Sequence, residues 1–187
     1  ERGPIVKTIT ATSMLDRLGE IYGVPVYETA VGFKNVAPLM LAHNALIGGE
    51  ESGGYGFRGH VAERDGVLAN LYFLDLMVRT GKSPSELIEY LYKKVGPHYY
   101  KRVDITFDEA ERKNVVARVR DYAADNIDGV KIGNVDTTDG FRFNLVDNTW
   151  LLVRFSGTEP LIRIYTETDS LQRVDRLLAI GRKIAGV

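Results

Sequence analysis

Residues 45–54, Ala45-Leu46-Ile47-Gly48-Gly49-Glu50-Glu51-Ser52-Gly53-Gly54, decide the fold of the first half: a short apolar strand runs straight into a glycine-rich loop. Upstream of it, strands and helices alternate. Ile5-Val6-Lys7-Thr8-Ile9-Thr10 reads as a core strand. Ser13 is placed to cap a helix with Met14, Leu18 and Ile21 on one stripe and Gly23 as its stop. A strand over 24–31 and a helix over 35–44 follow. This alternation predicts an α/β layer. Downstream, Val67, Leu71, Leu74 and Val78 recur at helical spacing between Asp65 and Gly81. Ser83-Pro84-Ser85-Glu86 then has the pattern of a capping box with proline at the first helical position. The expectation for residues 1–96 is an α/β domain, a mixed sheet with flanking helices.

Gly96-Pro97 is the candidate boundary, because a glycine after a helix followed by proline stops regular structure. Beyond it the order of elements changes. Residues 99–107 read as a strand, 108–126 as a helix, and 130–135, 141–146, 150–155 and 161–167 as strands, with Asp139-Gly140 and Asp147-Asn148 marking tight turns. A last helix carries Leu171, Val174, Leu178 and Gly181 on its inner face. Residues 97–187 are therefore expected to form an α+β domain, a four-stranded antiparallel sheet with helices.

Composition limits the function. The 187 residues are 44% hydrophobic and 26% charged, with a formal net charge of −1. That balance describes an ordinary globular protein and leaves any anion site to local groups, which argues against nucleic acid as a partner. There are no cysteines, which excludes disulfides, thiolate zinc sites and a cysteine nucleophile and fits a reducing cytoplasm. No apolar run approaches the roughly 20 residues of a membrane span. The chain opens at Glu1-Arg2-Gly3-Pro4 without methionine and passes at once into a strand, as a cut or processed chain would.

Two loops carry chemistry. In an extended segment Glu50 and Ser52 point the same way, so both can accept or donate to adjacent sugar hydroxyls; a solvated glycine-rich turn is the plainer reading of the same residues. Glu50 and Glu51 together make only a weak metal signal, since no third ligand stands at coordinating spacing. His60 is a candidate ligand contact or a surface histidine. The second loop, Arg154-Phe155-Ser156-Gly157-Thr158-Glu159-Pro160, lies between two strands. It offers a guanidinium, two hydroxyls and a glycine backbone, groups that hold a phosphate dianion through short charge-assisted hydrogen bonds. Arg163 has the parity of Leu161 and Tyr165 and supplies either a second guanidinium or a salt bridge to Glu159 or Glu167.

In order and spacing, Ile5-Val6-Lys7-Thr8-Ile9, Val31-Gly32-Phe33-Lys34-Asn35, Gly48-Gly49-Glu50-Glu51-Ser52-Gly53-Gly54, Glu63-Arg64-Asp65-Gly66 and the 154–160 loop resemble the α-D-phosphohexomutases, nearest the phosphoglucomutase and phosphomannomutase branches. The resemblance implies that residues 1–96 are most of the family's third domain, truncated at its start, and 97–187 its fourth. It implies that Glu50 and Ser52 read sugar hydroxyls, and that Arg154, Ser156, Gly157 and Thr158 hold the non-transferred phosphate. Lys7 and Lys34 match basic positions near the substrate, and Glu51 favours a hexose phosphate over an amino sugar.

The implied substrates are glucose 1-phosphate, glucose 6-phosphate and mannose phosphates, and the implied partners are two upstream domains of the same chain. The family reaction passes a phosphoryl group by way of an active-site serine and needs Mg2+ held by an aspartate-rich loop. Neither a Ser-His-Asn-Pro nor an Asp-Gly-Asp-x-Asp-Arg segment occurs here. By that resemblance this chain keeps the recognition half of the enzyme and lacks the chemical half. A non-catalytic phosphosugar-binding or regulatory module would use the same loops, and a purely structural module would leave both empty. Truncation would also expose apolar surface suited to self-association.

Overall fold

The computed structural model describes residues 2–157 and 159–187. The chain divides into two compact units, Glu1–Pro97 and His98–Val187.

In the first unit, β1 (Ile5–Thr8), α1 (Met14–Tyr22), β2 (Val26–Thr29), α2 (Phe33–Ala42) and β3 (Ile47–Gly49) alternate as expected. They are followed by β4 (Tyr55–Phe57), α3 (Gly66–Thr80) and α4 (Pro84–Val95). The sheet order is β2-β1-β3-β4, with β1 parallel to β2 and β3 and with β4 antiparallel to β3. Side chains alternate along β1, so Val6 faces α2 with Phe33, Val36 and Met40, while Lys7 faces α1. Helix α2 lies so close to β3 that a Cβ on Gly48 would come within 2.2 Å of the Met40 sulfur and 2.7 Å of Val36 Cγ1. Only glycine permits that approach.

Several local expectations are modified. Ser13 sits at the N-cap of α1 but makes no side-chain cap bond. Instead Thr12 Oγ1 accepts from the Met14 N–H at 3.1 Å. Strand β4 was hidden inside what reads as loop, because Tyr-Gly-Phe is too short to carry a periodic signal. At α3, Asp65 accepts the Leu68 N–H and Gly81 ends the helix at φ 64°, and at α4 the Ser83–Glu86 capping box forms in full. Yet no residue of α3 is buried: Val67, Leu71, Leu74 and Val78 all stand exposed. A hollow of about 410 Å3 lined by Leu18, Tyr22, Phe73, Leu76, Leu87 and Leu91 runs along the same helix.

In the second unit, β5 (Tyr99–Thr106), a 3₁₀ turn (Glu109–Glu111), α5 (Arg112–Arg120) and β6 (Asn126–Ile127) come first. Then β7 (Val130–Asp136), β8 (Phe141–Leu145), β9 (Trp150–Phe155), β10 (Leu161–Thr168) and α6 (Leu171–Ala185) complete it. The expected four-strand meander β7-β8-β9-β10 is present, and a strand at each side extends it to six in the order β5-β10-β9-β8-β7-β6, all antiparallel. The single helix expected over 108–126 is a correction. Asp108 caps a 3₁₀ turn, α5 stops at Arg120, and residues 126–127 pair with 130–131. The cause is Asp128-Gly129, both at positive φ (51° and 77°), a two-residue hairpin turn whose twist suits the strands it joins.

Helices α5 and α6 cover one face of this sheet. Val115, Val119, Val174, Leu177 and Leu178 pack against Leu151, Val153, Ile162 and Ile164, all buried. Burial of this kind contributes about 25 cal/mol per Å2 of apolar area and gives the β9–β10 hairpin a rigid floor.

Candidate functional site

The first loop lies at the carboxyl end of β3. Chain direction makes that end special: β1 connects to β2 through α1, and β2 returns past β1 to β3 through α2, so the connections diverge between β1 and β3. A crevice at such a switch point is where open α/β sheets bind ligands.

The loop itself is a tight turn. Gly53 N–H donates to Glu50 O at 3.1 Å and Glu50 N–H to Gly54 O at 3.0 Å. The extended geometry expected for residues 50–52 is therefore corrected, and the parity argument that paired Glu50 with Ser52 falls with it. Backbone pairing across the β3–β4 hairpin closes the chain before an extended segment can form. Glu50 is 7% exposed, whereas Ser52 stands out in solvent.

The Glu50 carboxylate is fixed from two sides. Oε1 accepts the Gly32 N–H at 2.9 Å, and Oε2 lies 3.7 Å from Arg64 Nη1. Gly32 precedes α2, whose exposed Lys34 occupies the first turn. The turn thus brings Glu50, the Gly32–Lys34 segment and Arg64 together. Arg64, about half exposed and 5.7 Å from the Phe33 ring centroid, was visible in the sequence only as part of a motif.

Two other candidates are engaged elsewhere. Lys7 is 1% exposed, with Nζ 2.7 Å from Asp16 Oδ2 and 3.0 Å from Glu28 Oε2. Glu28 is its direct partner in the β1–β2 register, so the ladder itself sets the ion pair. Lys7 is also opposite Gly49, one residue before Glu50, but its charge is committed to the two carboxylates. His60 bonds through Nε2 to Asp65 Oδ2 at 2.9 Å. The Leu68 backbone N–H, with a smaller contribution from His60, holds the Asp65 carboxyl below its usual range.

The second loop joins β9 to β10. Arg154 and Arg163 are directly opposed across that ladder, and Arg163 is opposite Asp104 on β5. Like charges placed so destabilise a sheet by a few tenths of a kcal/mol or more unless countered. Here Asp139 Oδ2 lies 2.9 Å from Arg154 Nε, and Asp104 and Glu159 lie 3.5 and 3.7 Å from Arg163. The Glu159 half of the salt-bridge alternative for Arg163 is present as a long contact. Glu167 is instead buried beside His98 Nδ1 (3.1 Å) and Trp150 Nε1 (3.3 Å).

At the tip, Ser156 is 3% exposed and its N–H donates to Leu161 O at 2.9 Å, while Gly157 is exposed. Thr158 lies outside the described residues. Sequence reasoning missed one participant altogether: Arg112, at the start of α5, donates from Nη1 to Ser156 O at 3.1 Å and from Nη2 to Glu159 O at 3.0 Å. No local pattern announces a bond across 44 residues.

Among the described residues no group of three or more histidine, aspartate or glutamate side chains is arranged to hold a metal ion. The magnesium implied by the resemblance is held by an aspartate-rich loop that this sequence does not contain. Nor is any helix among the described residues long and apolar enough to cross a membrane.

Comparison with known proteins agrees with this architecture. Residues 1–95 match the family model of phosphoglucomutase/phosphomannomutase, alpha/beta/alpha domain III, and residues 105–182 match that of the C-terminal domain. A phosphoglucomutase/phosphomannomutase from Thermococcus kodakarensis is 38% identical over 182 residues, 97% of this chain and 38% of that protein. A phosphoglucosamine mutase from Methanocaldococcus jannaschii is 31% identical over 96% of this chain and 38% of its own length.

Among solved structures, a Thermus thermophilus protein bearing the provisional name phosphomannomutase superposes with a TM-score of 0.80 at 35% identity, covering 100% of this chain and 37% of that one. The open form of the Paramecium phosphoglucomutase pp63/parafusin shares the fold, with a TM-score of 0.81 at 24% identity over 98% of this chain and 37% of its own. The chain thus spans about two-fifths of the length of the curated relatives it matches. With both family models matched in order along it, the chain belongs to the phosphoglucomutase/phosphomannomutase family.

Proposed function

We propose that this chain is the substrate-recognition part of a phosphohexomutase that interconverts hexose 1-phosphates and hexose 6-phosphates through a bisphosphorylated intermediate. Glu50, with the Gly32–Lys34 segment and Arg64 beside it, accepts hydrogen bonds from sugar hydroxyls, and the exposed Ser52 of the same turn offers a further hydroxyl. Arg154, Arg163, Ser156, Gly157 and Thr158 hold the phosphate that is not being transferred.

The observation that carries this reading is the direct pairing of Arg154 with Arg163 at the base of an exposed, glycine-bearing loop. Two guanidiniums side by side, each already balanced by carboxylates, present converging charged donors that a dianion can bridge. A fixed carboxylate acceptor suits hydroxyls for a different reason. A buried group left without its ligand partner discriminates strongly against analogues lacking that hydroxyl.

The phosphoserine and the magnesium ion belong to the remainder of the longer protein, and magnesium would neutralise charge on the transferred phosphoryl group there. By itself the 187-residue chain binds hexose phosphates without turning them over. Glu51 supports a hexose over an amino sugar, and the absence of cysteine supports a cytoplasmic setting. The exposed row Val67, Leu71, Leu74 and Val78 supports association of two copies of the isolated chain. Sedimentation at rising concentration checks that point, and a monomer throughout would contradict it.

The function is tested by assaying the longer protein and this chain side by side with glucose 1-phosphate and mannose 1-phosphate. Interconversion to the 6-phosphate by the longer protein alone is the expected result. No interconversion by it, or turnover by the 187-residue chain, would refute the reading.

A further inference from the structure

We propose that Arg112 is the positioning residue of the 154–160 loop: by gripping two of its carbonyls, it turns the Gly157 N–H outward, toward the place of a ligand oxyanion. This rests on the reading of that loop as a phosphate site. One planar guanidinium reaches both ends of the loop tip, Ser156 O at 3.1 Å and Glu159 O at 3.0 Å. Such a fork holds two acceptors in fixed relation, which a lysine ammonium on its flexible stem does not.

Arg112 is itself immobilised. Glu109 Oε1 accepts from its Nε, and its guanidinium carbon lies 5.4 Å from the Phe107 ring centroid. Phe107 N–H in turn donates to Pro160 O at 3.1 Å. The loop is thus fastened to the start of α5 by Arg112 and to the end of β5 by a bond that continues the β5–β10 ladder.

The direction of the Gly157 N–H follows from peptide geometry. The 156–157 peptide is trans and planar, so its N–H points opposite to its C=O. With Ser156 O drawn toward Arg112, the Gly157 N–H faces away from α5. The second gripped carbonyl diverts no donor, because the residue after Glu159 is Pro160, which has no N–H. The Ser156 N–H is already used by Leu161 O. Holding such a loop before the ligand arrives avoids the ordering cost of binding.

The experiment uses the 187-residue chain with Arg112→Gln, Arg112→Lys and Glu109→Gln, each first checked for folding by circular dichroism. Without ligand, the heteronuclear 15N NOE at Gly157 is expected to fall in Arg112→Gln and to fall less in Glu109→Gln. Inorganic phosphate is then titrated, and Arg112→Gln is expected to bind about tenfold more weakly, because the loop must then be ordered on binding. Arg112→Lys is expected to keep the stability but recover little of the affinity.

An unchanged NOE and affinity in Arg112→Gln would overturn the proposal, and so would a loosened loop that binds phosphate undiminished. If the unaltered chain shows no response to millimolar phosphate, the phosphate reading falls, and the NOE comparison alone decides whether Arg112 sets the loop.

Discussion

The two loops are both hairpin connections, yet they are held in opposite ways. The 50–54 turn is closed by its own backbone and sends one carboxylate inward to Gly32. The 154–160 loop is held from outside by Arg112 and stands on two paired arginines. On the proposed function, the difference matches what each loop would bind. Hydroxyls are read by a fixed acceptor, which a short self-closed turn supplies. An anion is held by several converging donors, which on the proposed function Arg154 and Arg163 supply from the flanking strands while Arg112 only holds the loop in place.

The floor beneath the second loop can be broken first. Leu151 is fully buried under α6, and Leu151→Ala is expected to lower stability by about 2–5 kcal/mol in urea titration. A change under 1 kcal/mol would mean that the β9–β10 hairpin does not depend on that packing.

Next in size is Arg154→Gln. Removing one guanidinium of the pair is expected to weaken inorganic phosphate binding by about 1.5–3 kcal/mol, the range for hydrogen bonds to charged groups. Calorimetry reads this directly, and an undiminished affinity would remove Arg154 from the site.

Glu50→Gln sharpens the contrast from the other side. The amide keeps the shape but loses the charge and one acceptor. We expect glucose 1-phosphate to bind about threefold to tenfold more weakly, with inorganic phosphate unaffected, at roughly 1 kcal/mol for one hydrogen bond. Equal losses for both ligands would show that the two loops do not divide the work.

The smallest effect concerns the scaffold of the second loop in acid. Arg173 on α6 bonds Asp128 in the β6–β7 turn and Asp147 in the β8–β9 turn. The Asp128 carboxyl is held low chiefly by Arg176 and also by Arg173. For Asp147, burial pushes upward, but Arg173 and the Thr149 N–H more than offset it, so its pKa too is lowered. Both folded-state pKa values therefore lie below the unfolded value of about 3.9. The stabilisation is present above that pH and is lost as pH falls through the folded values. The urea midpoint should hold steady from pH 7 to about 5 and drop below about 4. In the Asp128→Asn, Asp147→Asn double variant the drop should be shallower, and an identical pH profile would rule the two carboxyls out as its source.

What was legible in the sequence is mostly what is decided locally. The Ser83–Glu86 box, the Asp65 cap and the strand running into Gly48 each depend on residues within four positions of one another. So do the loops themselves. The β5–β10 pairing was not legible, because nothing in residues 99–106 names a partner about 60 positions away. Strand β6 is concealed because the helical reading runs through Asn126 and Asp128-Gly129 goes unread as a turn, although that dipeptide is a strong hairpin signal. At the candidate site, Glu50, Arg154 and Arg163 are singled out by the chemistry of their side chains. Gly32 as the partner of Glu50, and Arg112 as the clamp on the second loop, were contributed by tertiary folding alone.

The division of labour between the loops is tested most directly by amide chemical shifts during titration with glucose 1-phosphate, glucose 6-phosphate and inorganic phosphate. Both sugar phosphates are expected to move Gly157 together with Ser52 and Gly53, and inorganic phosphate to move Gly157 alone. Silence at both loops with millimolar sugar phosphate, or a response of the 50–54 turn to inorganic phosphate, would contradict it.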